Sequence, residues 1–175
     1  MLKRLIIMLV LITSSDLLAD ECEILLKSKI QNELAFTYEE FDQTENNGFR
    51  PLERMFCFKE AAELLELYII ANQSQRSSLR WHLAQMKAFN GEYEAAIVYA
   101  NSVIDIEEDL DDFPLMWNDF VNANIAFLMR DKEALIKYRD KISAGKNFKP
   151  NEINLLYVEK LLVGFDSTYR QAIYD

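Results

Sequence analysis

The stretch from Arg80 to Asp105 limits what this chain can fold into more than any other. Trp81, Leu83, Ala84 and Ala88 lead to Gly91-Glu92-Tyr93, and Ala95, Ala96 and Ile97 follow. Small residues at helical steps on either side of a glycine turn let two short helices pack back to back, the unit of a helical repeat. Sliding the chain on itself extends the pattern. A shift of 34 sets Ala61-Ala62 on Ala95-Ala96 and Ile69-Ile70 on Val103-Ile104. A shift of 39 sets Ala84 on Ala123, Ala88 on Phe127, Ala95 on Ala134 and Tyr99 on Tyr138. Three degenerate helix pairs are predicted, the first with a poor leading helix.

Only four glycines and three prolines occur in 175 residues, half of them apolar, so little of the chain is turn-rich and an all-α fold follows. Glu21 to Tyr38 carries a helical stripe with gaps, and Asp42 to Gly48 is a turn cluster closed by Pro51 at a helix start. Cys57 sits at a turn within the next helical segment. Ser77 or Ser78 is the expected cap of the helix that runs to Asn90, and its partner covers Glu92 to Ile106. An acidic loop follows, then a helix from Pro114 to Met129, a return from Lys132 to Ser143 capped by Asp131, and a helix capped by Asn151. Ser167 or Thr168 begins the last one.

Residues 1–19 read as a targeting segment and 20–175 as one helical-repeat domain. Lys3 and Arg4 precede an apolar run from Leu5 to Ile12, and Leu17-Leu18-Ala19 ends in a small residue suited to cleavage. The run is far shorter than the roughly 20 residues a spanning helix needs, so cleavage after Ala19 is expected rather than an uncleaved anchor, with a periplasmic destination. Loss of Lys3, Arg4 and Asp16 moves the formal net charge from -10 to -11. An acidic product repels phosphate backbones and anionic headgroups, so neither nucleic acid nor stable membrane insertion is expected.

An oxidising compartment admits a disulfide between Cys22 and Cys57. Simple antiparallel helices would put Cys22 at the far end of its neighbour from Cys57, and two separate buried thiols are the other reading.

Arg80 to Glu108 resembles a tetratricopeptide repeat. With Gly91 as the turn glycine, Leu83 and Ala84 fall at the leucine-glycine pair, Ala96 at the small position of the second helix and Val103 near its end. The chain departs in having Arg80 at the usual tryptophan position, Ala100 at the aromatic one and Glu108 at the proline. A wider string, including Phe41-Asp42, Phe49-Arg50, Cys57, Trp81-His82, Gln85, Trp117-Asn118 and Ala126-Phe127-Leu128, is similar to a group of exported bacterial tetratricopeptide-like proteins, which implies no activity. The family resemblance implies antiparallel helix pairs stacked as a short right-handed solenoid, with a concave face that holds a peptide or a partner protein.

Catalysis needs a positioned acid, base or nucleophile, and His82 is the only histidine. A base–nucleophile pair of His82 with Cys57 stands against a helix-face histidine satisfied by one hydrogen bond, and the second is favoured. No HExxH, CxxC, GxSxG or phosphate-loop string occurs, so no catalytic residue, metal ligand or cofactor is assigned. The acidic run Glu107 to Asp112 lacks the alternating spacing and central glycine of a calcium loop and reads as a solvated turn. The candidate partner-binding residues are Trp81, His82, Gln85, Trp117, Asn118 and Asn122, where aromatic surface and backbone-bonding amides come together. Core packing is the alternative for both rings. Arg50 and Asp42 flank a turn that a bond between them would pin. The expected function is binding of a protein or peptide in the cell envelope. The alternatives are an immunity protein against a secreted toxin and an enzyme of unrecognised type.

Overall fold

A computed structural model describes residues 14–175, and among them the chain is all-helical. The helices are α1 (Ser14–Glu33), α2 (Tyr38–Asp42), α3 (Arg50–Arg54), α4 (Phe58–Ala71), α5 (Ser77–Phe89), α6 (Tyr93–Asn101), α7 (Trp117–Leu128), α8 (Lys132–Ala144), α9 (Lys149–Val163) and α10 (Tyr169–Tyr174). The apolar run Leu5 to Ile12 lies outside the described residues. Helix α1 passes through Ala19 without a break.

Four of the helices end in the same way. After α3, α4, α5 and α7 the chain enters the left-handed region at Phe56 (φ 61°), Gln73 (φ 48°), Gly91 (φ 82°) and Arg130 (φ 60°). In each case two crossed backbone bonds close the end, as when the Gly91 N–H reaches Ala88 O (3.1 Å) and the Glu92 N–H reaches Lys87 O (2.9 Å). Phe56, Gly91 and Arg130 each lead within two residues into the following helix, so the turn recurs after 35 and 39 residues. The shift of 34 is therefore one residue short. In the turn's register Ala61 corresponds to Ala96 and Leu65 to Ala100, all four buried. The 39-residue shift matches the turn spacing and pairs buried Ala84 with Ala123 and Ala88 with Phe127. Helix α3, which leads into the first of these turns, is five residues long with Pro51 in its first turn.

Consecutive helices from α4 to α9 pack on one another, most extensively α5 on α6 and α7 on α8. Helix α1 lies along α4 and runs in the same direction. Cys22 meets Cys57 at the start of α4, and at its end Asn72 Nδ2 donates to Leu34 O (2.9 Å) and the Tyr68 hydroxyl to Phe36 O (2.8 Å). The segment of α2 and α3 carries the chain back to that start. This return removes the geometric objection to the disulfide, which forms with Cα atoms 5.6 Å apart. The return loop is itself held from within. Glu33 takes two bonds from buried Lys29 (2.9 and 3.1 Å) and one from the Gly48 N–H (2.7 Å). Gly48 has φ +56°, and a Cβ there would lie 2.0 Å from Phe41 O, so no other residue fits.

The last residues return across the turns in reverse chain order. Arg130 donates to Phe165 O and Ser167 O, the Tyr169 N–H donates to the Tyr93 hydroxyl (3.0 Å), and Tyr174 packs on Phe56, Phe58 and Phe89. Tyr169 is 1 % exposed, and its hydroxyl donates to Asn124 Oδ1 (2.6 Å) and lies 3.1 Å from that of Tyr157. Burial raises both phenols above their ordinary value, so they stay neutral donors. The buried side chains form one connected cluster from Cys22 to Ile173.

Local capping is mixed. Asp131 caps α8 by accepting from the Ala134 N–H (2.9 Å), and Thr168 closes a capping box on α10. Ser77 and Ser78 lie inside the first turn of α5 rather than at its cap, which is Arg76. Asn151 lies inside α9, and helix α6 ends at Asn101, five residues before Ile106.

Candidate functional site

The six residues singled out in the sequence do not share one face. His82 points to the return loop, where Nδ1 lies 2.7 Å from Oδ1 of fully buried Asp42 and the ring packs on Phe49. Burial pushes the Asp42 carboxyl up. The hydrogen bond and charge of His82, with Tyr38 and Arg50, outweigh it and hold the group below its ordinary range. Arg50 also pins the turn, donating through Nε and Nη2 to Asp42 O (2.9 and 2.7 Å). Gln85 lies beside the Tyr157 hydroxyl. The sulfur of Cys57 is bonded to Cys22, so the pairing of His82 with a Cys57 nucleophile is not assembled.

Trp81, Trp117, Asn118 and Asn122 do come together, against the loop between α6 and α7. Trp81 is 7 % exposed and meets Trp117 and Phe120 edge-on, with ring centres 5.4 Å away in both cases. The Trp117 indole donates to Val103 O (2.8 Å). Asn118 clamps Asp105 from both sides, accepting its N–H (2.8 Å) and donating to its carbonyl (2.6 Å), while its own N–H goes to Glu108 Oε1 (2.8 Å). Asn122 bonds back to Asn118 O within its helix (2.8 Å). The Asn118 amide is thus satisfied by the loop's own backbone and the Asn122 amide donates to its own helix.

Two residues absent from that set complete the loop. Arg80 donates to Gln75 O, Ser102 O and Ser102 Oγ, tying the end of α6 to the start of α5. Asn151, wholly buried, accepts from the Met116 N–H (2.9 Å) and donates to Pro114 O (2.7 Å) and Gly145 O (3.1 Å). A polar residue just after Pro150 looks like a cap in sequence, and no local signal points to contacts 35 residues away.

Held at both ends, the loop walls a cleft of ≈ 620 Å³ with the first turn of α5 and the start of α7. Val103, Ile104, Leu115 and Trp117 give it apolar surface, and Asp105, Glu108 and Asp109 give it negative charge. Phe113 lines it while 56 % exposed, and Ile106 on the same loop is 93 % exposed. Among the described residues no three His, Cys, Asp or Glu side chains are placed to hold a metal ion. No described helix is long and apolar enough to cross a membrane. In comparisons with known proteins, no family model, no curated protein and no solved structure matches the chain.

Proposed function

We propose that the chain is an exported helical-repeat module that binds a segment of another protein in the cell envelope. The carrying observation is the cleft between α5, α7 and the acidic loop, where half-exposed Phe113 shares the lining with an anchored tryptophan and Ile106 stands exposed on the same loop. Exposed apolar side chains on a loop tied down at both ends form a surface ordered before a partner arrives, which lowers the entropy cost of association. The recurring left-handed turns and the packing of consecutive helices support antiparallel pairs stacked in a tetratricopeptide-like solenoid. The disulfide supports an oxidising location such as the periplasm, reached through cleavage after Ala19.

Site-specific photocrosslinking in the native envelope tests this reading. A crosslinker at Phe113 is expected to give a discrete protein adduct that one at exposed Glu63 on α4 does not give. The same adducts from both positions would remove the cleft from consideration.

A further inference from the structure

We infer that the cleft takes a basic segment bearing apolar side chains, an inference that rests on the cleft being the partner site. Six carboxylates fall between Asp105 and Asp112. None is in an ion pair among the described residues, whose salt bridges all lie elsewhere. Where Asp105, Glu108 and Asp109 accept hydrogen bonds, the donors are backbone N–H groups, so none of these carboxylates is neutralised by a direct ion pair.

The one cationic side chain lining the cleft does not offset this for an incoming anion. Nε and Nη2 of Arg80 are held by Ser102 and Nη1 by Gln75, so most of its donors are committed within the chain. An acidic ligand would meet the six loop carboxylates against this single guanidinium.

The arrangement of the charges separates a peptide from an ion. No three acidic groups converge, so the carboxylates are strung along the loop rather than gathered round a point. A row of separated charges suits several cationic side chains on one chain. Between the acids stand Ile106, Leu110 and Phe113, each at least 41 % exposed, and behind them the Trp117 face of the cleft. Cations alone would leave that apolar surface in water, and an apolar ligand alone would leave the charges unmatched. A segment carrying both uses both: lysine or arginine steered to the carboxylates, and aliphatic or aromatic side chains set against Phe113 and Trp117.

The test uses the full, disulfide-intact chain and three short synthetic peptides in isothermal titration calorimetry. One peptide alternates lysine with leucine, one replaces lysine by glutamate, and one replaces leucine by serine. The lysine–leucine peptide is expected to bind. Its affinity should fall about tenfold or more, the effect of one lost hot-spot contact, in Asp109→Asn/Asp111→Asn/Asp112→Asn and separately in Ile106→Ser/Phe113→Ser. Circular dichroism melts confirm that both variants fold. Equal binding of the glutamate or the serine peptide, still weakened by Ile106→Ser/Phe113→Ser, would overturn this inference and leave the cleft standing. Peptide binding indifferent to both variants would overturn the inference and the cleft reading together.

Discussion

Two terminal segments of the described chain are fastened by unlike chemistry. At the first, a disulfide joins α1 to the start of α4, and charged groups hold the return loop: Lys29 on Glu33, Glu33 on the Gly48 N–H, and His82 on Asp42. At the other, a ten-residue strap from Phe165 to Tyr174 is held by buried aromatic surface and neutral hydroxyls, with Arg130 reaching only backbone carbonyls. The first end answers to redox state and acidity. The second answers to aromatic packing and to hydrogen bonds on hydroxyls and backbone carbonyls.

The largest effect that would test this contrast is expected at the strap. Tyr169→Ala removes a fully buried ring and its bond to Asn124, and should cost about 3–5 kcal/mol in urea unfolding. A loss below about 1 kcal/mol would show that the strap is not a fastening. Next, Cys22→Ser with Cys57→Ser should cost about 2–4 kcal/mol. Hydrogen exchange should rise in α1 and leave Phe165 to Tyr169, which lie against Arg130, Asn124 and Tyr93, unchanged. Exchange rising equally at both ends would break the distinction.

A smaller, pH-dependent effect belongs to the first end alone. Because the folded Asp42 carboxyl titrates below its unfolded value, its contribution is fully present above the ordinary carboxyl range, near pH 4. It is lost as pH falls through the lower folded value. Asp42→Asn should flatten the acid limb of the stability curve, whereas Tyr169→Phe should lower the whole curve and keep its shape. The smallest effect is expected in the cleft. Ile106→Ser should change stability by less than about 0.5 kcal/mol, since the side chain is 93 % exposed. A larger change would mean that the loop serves the fold rather than a ligand.

What could be read from the sequence was what short-range chemistry fixes. Gly91 marked a turn, Asp131 a cap and Thr168 a helix start, because each acts on its own neighbours within a few residues. The turns at Cys57 and at Arg130-Asp131 are legible as breaks between helices, but their left-handed backbone at Phe56 and Arg130, like that at Gln73, is not, since none of these is a residue that favours it. Phe56 and Arg130 instead use their position to grip the strap. Asn118 and Asn151 carried the wrong local meaning. One was read as a groove amide and the other as a cap, and both stitch the acidic loop to the helices. The strap itself was illegible, because Tyr169 meets Asn124 and Tyr93 at separations of 45 and 76 residues.

That strap bears on the order in which the molecule can be finished. A polypeptide grown only as far as Val163 already contains every left-handed turn and both cysteines, but not the strap that crosses three of those turns. Phe89 and Asn124 would then stand without their tyrosine partner. The interior is thus sealed by residues that come later in the chain than every helix they close over.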